Sequence, residues 1–430
     1  MSTREHPAPA LAGPAVAQRR WPVLVGLCLF VAATNRWLGW DAALRLLTAR
    51  DVGSYEAIAR AAPGLPDADL PAHHAERFPV HWLTGVLSDL TGVPLQTLYR
   101  LLMIAAIAGT LALLHAIVAR RLPVGAYAVV VAAFVLNPYA LRYELLVPGM
   151  LADATFVLGL ALTLFGLTGR RPAALVAGVA VAALARETVL VTLPVVLAWV
   201  ALAPDWRSVA PGRRGVAGGA VVAVVGAIFV VTRALAEGFS APSLPGVLDA
   251  TAVARGYSLP APSLSTLDDY TIVDALSSPA ALAEHLARVA TPLLTTVALI
   301  AAALVLARRR GARPPFAFWG CLALSASIVV QPLLVSPDVL FGNETRLTAL
   351  GLLPLAVALA FLLERLAPDD ALAPRDAALI GGVLAIASAH HLYTVVGPAS
   401  AGQIAPLQLV AGAAAAWLLV RAAGRRATRG

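Results

Sequence analysis

The chain has 430 residues, of which 59% are hydrophobic and only 13% are charged. Soluble domains carry charge on roughly a quarter of their residues, so this composition excludes a water-soluble enzyme. The formal net charge is +8 and the sequence contains no lysine, which excludes lysine-dependent chemistry such as Schiff-base formation. We therefore expect an all-α, polytopic membrane protein.

Twelve apolar blocks follow one another along the chain, and most are about as long as a membrane-spanning helix. The blocks cover residues 21–40, 97–119, 124–141, 150–168, 173–185, 188–203, 215–235, 287–307, 316–336, 348–364, 376–396 and 406–420. The first follows Arg19 and Arg20 as the core of a signal peptide would, but no small-residue cleavage site comes after it. We interpret it as a retained first transmembrane helix and predict about 12 helical segments in total.

Arginine clusters stand at alternate ends of these blocks, and short arginine-rich loops stay in the cytoplasm. The segments assigned inward on this basis hold 20 arginines and 6 acidic residues, against 12 and 18 in the rest of the chain. This predicts cytoplasmic tails at residues 1–20 and 421–430, a transmembrane domain at 21–420 and a location in the plasma (inner) membrane. Two long loops, 41–96 and 236–286, then face outward.

Blocks 173–185 and 188–203 lie between two inward arginine clusters, so they must cross outward and return. At ~1.5 Å per residue the first rises only about 20 Å, against a hydrocarbon core of roughly 30 Å. We predict a short helical hairpin with Arg186 and Glu187 at its tip. Charge and non-helical backbone at that depth need protein or a water-filled cavity around them. The hairpin tip therefore predicts a cavity that opens to the outside.

Sequence signatures of soluble catalysts are absent: the chain has no nucleophile elbow, no His-Glu-x-x-His motif and no P-loop. Polar residues suited to chemistry gather instead on the predicted outward side. These residues are Asp51, Tyr55, Glu56, His73, His74, Glu76, Arg77, Arg142, Tyr143, Glu144, Asp153, Arg186, Glu187, Asn343, Glu344, Arg346, His390 and His391. Their common side of the membrane, rather than any single motif, indicates a functional site.

Asp51 opens the stretch Asp51-Val-Gly-Ser-Tyr55-Glu56, which predicts a short helix along the membrane surface. Asp51 and Tyr55 are four residues apart and share a helix face. Asp is among the best N-cap residues, and a carboxylate held near the membrane can also act as general base towards a hydroxyl acceptor. Both interpretations stay open.

The stretch His73-His74-Ala-Glu76-Arg77 contains three residue types that ligate metals, and His81 follows closely. The spacing matches no established zinc pattern, so a solvated loop is the plainer interpretation. Arg77 differs from its neighbours because it directly precedes an apolar helix predicted at 80–90. A guanidinium there can hold a phosphate through two hydrogen bonds.

Acids and arginines at three further positions each have two interpretations. Asp153, one turn into the fourth block, either complements the helix dipole or faces a polar interior as a functional acid. Arg186 and Glu187 either neutralise each other or bind a phosphate. Glu344 and Arg346, just before a late helix, offer the same choice.

In these stretches the sequence resembles the GT-C superfamily of integral-membrane glycosyltransferases. The motifs that carry the resemblance, in chain order, are Arg50-Asp51 through Ala62, His74-Ala-Glu76-Arg77-Phe-Pro79 leading into Trp82, Asn137-Pro138, Pro148 through Asp153, Leu184 through Thr188, and Gly342 through Arg346. The resemblance implies transfer of a sugar from a polyprenyl-phosphate donor to an extracytoplasmic glycan, lipid or protein acceptor. Direct displacement would invert the anomeric centre. Nucleic acid is not an expected partner.

With this resemblance the candidates form three predicted groups. The catalytic residues are Asp51 and Glu56. The donor-phosphate ligands are Arg77, Arg142, Arg186, Arg346 and His391. The acceptor-binding or cavity-lining residues are Tyr55, His74, Glu76, Tyr143, Asp153, Glu187 and Glu344.

Two questions stay open at this stage. A divalent metal (Mg or Mn) is one option, but many relatives pair two acids in the first loop, whereas here Arg50 precedes Asp51. The alternative function is a transporter or flippase for a lipid-linked sugar or small solute. Transporters often contain internal repeats, and we find none in this sequence.

Overall fold

The structure is a computed structural model that describes residues 20–37, 53–67, 70, 72–240, 278–334, 344–366, 372–388 and 401–427. Throughout these residues the regular secondary structure is helical. The one extended pairing among them is an isolated bridge between Leu70 and Ser240. The predicted all-α class is therefore confirmed.

The helices of the described residues are, in chain order, α1 (Trp21–Trp37), α2 (residues 53–61), α3 (Ala72–Ala75), α4 (Phe78–Thr91), α5 (Leu95–Val118), α6 (Val124–Val135), α7 (Leu141–Leu146), α8 (Leu151–Gly169), α9 (Pro172–Ala185), α10 (Val189–Leu202), α11 (Pro211–Ala236), α12 (Pro279–Ala290), α13 (Leu294–Arg309), α14 (Phe316–Leu334), α15 (Glu344–Ala349), α16 (Leu352–Leu366), α17 (Pro374–Ser388) and α18 (Ala401–Ala427).

Six segments of the described chain are long and apolar enough to cross a membrane. They are Leu95–Val118, Pro148–Gly169, Pro211–Ala236, Phe316–Leu334, Glu344–Leu366 and Ile404–Arg425. A seventh is present if α12 and α13, which meet at an angle of 72°, form one broken span. These helices are those of a polytopic membrane protein, whereas the predicted number of about 12 segments is not confirmed.

Two of the predicted blocks differ in shape from the observed helices. The block at 124–141 is wrong in length, because α6 ends at Val135. Asn137 precedes Pro138, and a residue before proline is disfavoured in helical geometry. The block at 287–307 is not one straight helix, since α12 ends at Ala290 and α13 starts at Leu294, with Pro292 in the break.

The two helices of the predicted short hairpin are present as α9 and α10, with Arg186, Glu187 and Thr188 between them. The hairpin packing itself is not confirmed, because α9 packs mainly against α8 and α11, whereas α10 packs mainly against α14. Helices α8 and α9 pack closely against each other. A Cβ atom on Gly159 would collide with the backbone of Ala182, and one on Gly178 with the backbone of Thr163. Small residues at such positions let helix backbones approach within a membrane. This packing fixes the end of α9 beside the start of α8.

The buried apolar residues form two clusters. The larger runs through most helices of the described chain. The smaller joins Tyr55 and Ile58 of α2, Phe78 of α4, Met150 just before α8, and Phe239 just after α11. The predicted outward loop 41–96 is therefore partly a packed structure, because Tyr55 and Phe78 are core residues rather than solvated ones.

Candidate functional site

The centre of the candidate site is an ion pair between Asp153 and Arg186. Asp153 lies in the first turn of α8, and Arg186 directly follows the last residue of α9. Because α8 and α9 pack antiparallel, residues separated by 33 positions meet, and Arg186 Nη1 donates to Asp153 Oδ1. Both side chains are at least nine-tenths buried.

A second guanidinium, that of Arg346, also forms an ion pair with Asp153. Arg346 of α15 places Nε 3.1 Å from Asp153 Oδ2 and Nη1 3.4 Å from the Met150 sulfur. No side-chain cap hydrogen bond is formed at the start of α8. Of the two interpretations of Asp153, the structure therefore favours an acid in a polar interior over one that only complements a helix dipole.

Arg77 and Glu187 form the second ion pair of the site. Arg77 Nη2 donates to Glu187 Oε1 at 2.9 Å and Nε to Oε2 at 3.5 Å, while Nη1 donates to the Tyr55 hydroxyl at 3.4 Å. Burial opposes the ionisation of Glu187, but Arg77 and Arg186 overcome it and lower the Glu187 pKa to about 2. Burial likewise opposes the charge of Arg77, yet Glu187 and Tyr55 raise the Arg77 pKa.

Arg186 and Glu187, which are adjacent in the sequence, therefore do not neutralise each other. Each side chain pairs with a partner from elsewhere in the chain. The five charged residues Arg77, Asp153, Arg186, Glu187 and Arg346 are called the arginine–carboxylate cluster below. Within this cluster the Nε and Nη2 atoms of Arg186 are buried and have no hydrogen-bond partner in the part of the chain that the structure describes.

A network of aromatic and imidazole rings lies next to the cluster. Tyr55 stacks on His81 with ring centroids 4.0 Å apart, and His74 packs edge-on against Tyr55 at 5.1 Å. His81 Nδ1 and the Tyr99 hydroxyl are 2.9 Å apart. Burial, His74 and Arg77 together lower the His81 pKa to about 3, although Asp153 acts in the opposite direction. His81 is therefore neutral in the folded protein.

Arg142 belongs to a different network. Its guanidinium donates to Ser388 Oγ at 3.1 and 3.0 Å, to Thr34 Oγ1 at 2.9 Å and to Asn35 Oδ1 at 2.6 Å. These contacts join α7 to α1 and α17. Burial lowers the Arg142 pKa to about 10. In the contacts described here, the partners of Arg142 are two hydroxyl groups and one amide group. None of these partners is a carboxylate of the arginine–carboxylate cluster.

Glu344 also lies apart from the cluster, although it is only two residues before Arg346. Its fully buried carboxylate is 3.7 Å from His285 Nδ1 and 3.6 Å from Arg288 Nη1. His285 and Arg288 lie on α12, and the sequence interpretation did not single them out. The sequence signal that could have identified them is their position, with Glu284, on one amphipathic helix.

The other predicted site residues have varied positions. Glu56 pairs with Arg60 one helical turn later, at 3.4 Å on the outside of α2. Glu76 is half-buried, and burial together with the Glu187 charge raises its pKa. Tyr143 packs against the smaller apolar cluster. Asp51 and His391 lie outside the described residues, so their predicted roles stay predictions.

The described residues do not supply a metal centre. Among them, no group of three or more His, Cys, Asp or Glu side chains is arranged to hold a metal ion. Asp51 and His73, which the metal hypothesis would use, contribute no described side chain. Chemically, the cluster offers buried guanidinium groups and charge-neutralising carboxylates, a combination suited to holding an anion.

Comparison with known proteins adds no relative: no protein family, no curated protein and no solved structure matches this chain.

Proposed function

We propose that this chain is an integral-membrane glycosyltransferase that moves a sugar from a polyprenyl-phosphate donor to an acceptor outside the cytoplasm. The observation that supports it most is the buried guanidinium of Arg186, whose Nε and Nη2 nitrogens have no hydrogen-bond partner among the described residues. Buried donors without partners are costly, and a phosphate oxygen satisfies them. A lipid phosphate brings such an oxygen into the membrane.

In this proposal Arg186 is the primary ligand of the donor phosphate. Arg77 and Arg346 are the other two guanidinium groups of the cluster, and each is held by a carboxylate: Arg77 by Glu187 and Arg346 by Asp153. These carboxylates keep the arginines charged and oriented, so that little reorganisation is needed when negative charge develops on the leaving phosphate. The ring network around Tyr55 and His81 contacts the cluster through the hydrogen bond from Arg77 to the Tyr55 hydroxyl.

The transfer itself is a direct displacement at the anomeric carbon. The acceptor hydroxyl oxygen forms the new glycosidic bond, the bond from that carbon to the phosphate oxygen breaks, and polyprenyl phosphate leaves with the electron pair. The hydroxyl proton passes to a base, the role predicted for Asp51. Because phosphate is already a good leaving group, positioning and charge stabilisation carry most of the catalysis.

The proposal includes a location and an orientation. The protein lies in the plasma membrane with about 12 helical segments, both termini in the cytoplasm and the cluster near the outward side. The support is the distribution of arginine in the sequence, because short arginine-rich loops remain cytoplasmic.

A second candidate function is transport of a lipid-linked sugar or small solute. One observation favours it: α12 and α13 meet at 72° and together have the length and composition of one broken span. Broken helices often build the substrate site of a transporter.

Mass spectrometry of envelope glycans tests the two functions. A deletion strain is compared with the same strain complemented by the wild-type gene or by Arg186→Ala. We expect the deletion strain and the Arg186→Ala complement to lack one sugar residue that the wild-type complement restores. Accumulation of an intact lipid-linked precursor on the inner leaflet would instead support transport, and unchanged glycans would contradict both functions.

A further inference from the structure

His81 has one ring nitrogen that no protein contact among the described residues satisfies. The side chain lies in the first turn of α4 and has no exposed surface. Its Nδ1 atom is 2.9 Å from the Tyr99 hydroxyl, whereas its Nε2 atom is buried without a hydrogen-bond partner in the described chain. Buried polar atoms are nearly always paired, so an unpaired one indicates a bound water molecule or ligand.

The hydroxyl of Tyr99 determines which form of the His81 ring satisfies both of its contacts. Tyr99 has a single hydroxyl proton, and its oxygen also lies 3.3 Å from the carbonyl oxygen of Tyr55. A carbonyl oxygen only accepts hydrogen bonds, so Tyr99 donates its proton to Tyr55 in that contact. His81 Nδ1 then donates its own proton to the Tyr99 oxygen. Both contacts are hydrogen bonds only in this tautomer, and it leaves a lone pair on Nε2.

This lone pair accepts a hydrogen bond but does not act as a base. Burial, His74 and Arg77 lower the His81 pKa to about 3. A general base works best when its pKa lies near the operating pH. At neutral pH the ring therefore stays neutral, and its Nε2 atom is a hydrogen-bond acceptor for a hydroxyl group or a water molecule.

The His81 ring lies next to the arginine–carboxylate cluster. Helix α4 packs against α8, which contains Asp153, and against α9, which Arg186 directly follows. Tyr55 connects the ring to the cluster, since it stacks on His81 at 4.0 Å and accepts a hydrogen bond from Arg77. Arg77 and Asp153 are also close enough for their charges to act on the His81 pKa.

Two kinds of unsatisfied atom therefore occur in neighbouring positions. The Nε and Nη2 atoms of Arg186, which have no partner among the described residues, are donors that an anionic oxygen satisfies. His81 Nε2 is an acceptor, and the oxygens of a phosphodiester carry no proton to give it. A ligand that satisfies both residues needs anionic oxygens with a hydroxyl group close to them. A sugar joined to a phosphate has both, because its hydroxyl groups lie only a few bonds from the phosphate.

We propose that His81 is a sugar-binding residue of the donor site, whose Nε2 atom accepts a hydrogen bond from a hydroxyl group of the sugar while Arg186 binds the phosphate. This role of His81 rests on the proposed function for the identity of the donor. Tyr99 is a positioning residue, because it holds the ring in the tautomer that leaves the lone pair on Nε2. A lipid phosphate without a sugar leaves this buried acceptor unsatisfied and therefore binds more weakly.

The test is calorimetric binding to the purified full-length chain in detergent. The probes are farnesyl phosphate and four of its sugar esters, which carry glucose, galactose, mannose or arabinose. We expect at least one sugar ester to bind the wild type about tenfold more tightly than farnesyl phosphate does. In His81→Asn the amide N–H still reaches Tyr99, but no acceptor occupies the Nε2 position. This variant is expected to bind farnesyl phosphate as the wild type does and to lose the gain from the sugar.

The matched control is His115→Asn. His115 is also a buried histidine with Nδ1 2.9 Å from a tyrosine hydroxyl, that of Tyr127. It lies in the last turn of α5, at the other end of that helix from Tyr99. The control is expected to keep the full gain from the sugar. Tyr99→Phe no longer fixes the tautomer of His81, so it should lose part of the gain and bind farnesyl phosphate as the wild type does.

Nitrogen NMR of protein isotopically labelled in its histidines determines the tautomer without any ligand. The spectrum of His81→Asn identifies the His81 signals by their loss. We expect the proton on Nδ1 in the wild type and a larger share on Nε2 in Tyr99→Phe. A wild-type proton on Nε2 would overturn the proposal, because Nε2 would then have no lone pair for a hydroxyl group.

Three binding results would also overturn the proposal. One is a wild type that gains nothing from any of the four sugars, since a water molecule alone then satisfies Nε2. Another is a gain that His81→Asn keeps in full. The third is an equal loss of affinity for all probes in both His81→Asn and Tyr99→Phe, which would indicate a structural role. In each case the proposed function stands as long as the wild type binds farnesyl phosphate. If it does not, the proposed function fails, and the sugar-binding role of His81 fails with it.

Discussion

Arg77 and Glu187 are 110 positions apart in the chain, yet the Arg77 guanidinium donates two hydrogen bonds to the Glu187 carboxylate, at 2.9 and 3.5 Å. The pair connects the residue before α4 to the short connection between α9 and α10. The ion pair therefore links the predicted outward loop 41–96 to the segment that contains Arg186.

Removal of one partner from this pair is expected to destabilise the folded protein more than removal of both partners. Glu187→Ala leaves the Arg77 charge buried and uncompensated, which should lower the free energy of unfolding by about 3 kcal/mol. The double variant Arg77→Met, Glu187→Met should lose less than the sum of the two single variants. Denaturant titration in detergent, read as a double-mutant cycle, measures the coupling.

The control for this cycle is Arg233 and Glu237, a pair one helical turn apart whose side chains are more than half exposed. Its coupling is expected to stay below about 0.5 kcal/mol. Coupling of equal size in both pairs would contradict a special role for Arg77 and Glu187.

His81 predicts a loss of stability in mild acid. Its pKa in the folded protein is about 3, below the ordinary value of 6.5, because it is buried and near His74 and Arg77. The unfolded chain therefore takes up a proton below pH 6.5 while the folded protein does not. Stability is complete above that pH and falls as the pH drops towards 3, by about 2 kcal/mol at about pH 5.

His81→Gln removes this titration. Thermal unfolding at about pH 7 and about pH 5 should give a shallower acid loss for the variant than for the wild type. Parallel curves for the two proteins would show that His81 is not the group responsible.

Glu144 predicts the opposite dependence. Burial, assisted by Asp153, raises its pKa to about 8 from an ordinary 4.5. The folded protein then keeps a proton that the unfolded chain releases, so stability declines as the pH rises from 4.5 through 8. Glu144→Gln, neutral at every pH, should be more stable than the wild type by at least about 1 kcal/mol at about pH 8 and similar to it at about pH 4.

The matched control is Glu237→Gln, since Glu237 lies exposed on the surface. It should change the unfolding midpoint little at either pH. A Glu144→Gln variant that is destabilised at alkaline pH would contradict a buried, protonated Glu144.

Much of the helical framework could be predicted from the sequence, whereas most of the ion-pair partners of the site residues could not. Apolar length and arginine position located the helices α9 and α10 to within a residue at either end, because these signals are local. The partners of Arg186 and Glu187 depend on how α8 packs against α9 and on where α15 lies. From the sequence alone, mutual neutralisation and phosphate binding are both open for Arg186 and Glu187, whereas in the structure each pairs with a residue distant in the chain.

Arg142 and Glu344 show the same limit. The sequence predicts Arg142 as a donor-phosphate ligand and Glu344 as an acceptor-binding or cavity-lining residue, because both lie on the predicted outward side of the membrane. A side of a membrane is a broad surface, and tertiary contacts divide it into separate networks. Arg142 joins Asn35 and Ser388, and Glu344 joins His285. The break at Pro292 was visible in the sequence as a proline inside an apolar block, and it marks where the helix divides.

Because α8 and α9 pack closely, a larger side chain at Gly178 is expected to destabilise the folded protein strongly. An added Cβ there meets the Thr163 backbone, so Gly178→Val must push the helices apart and separate Arg186 from Asp153. We expect a loss of about 1–3 kcal/mol in the free energy of unfolding. Gly226→Val on α11 is the control, because a Cβ at that position meets nothing within 4 Å. Similar losses for the two variants would contradict the packing argument.

The most direct test of the account is calorimetric binding of farnesyl phosphate to the purified chain, comparing wild type, Arg186→Lys, Arg186→Ala and the control Arg121→Ala. Arg121 is also a paired arginine, bound to Glu364 at 3.2 Å, but it lies outside the arginine–carboxylate cluster. We expect saturable binding by the wild type and by Arg121→Ala, with affinity weakened about tenfold in Arg186→Lys and about 100-fold or more in Arg186→Ala. Equal affinity for wild type and Arg186→Ala would contradict it.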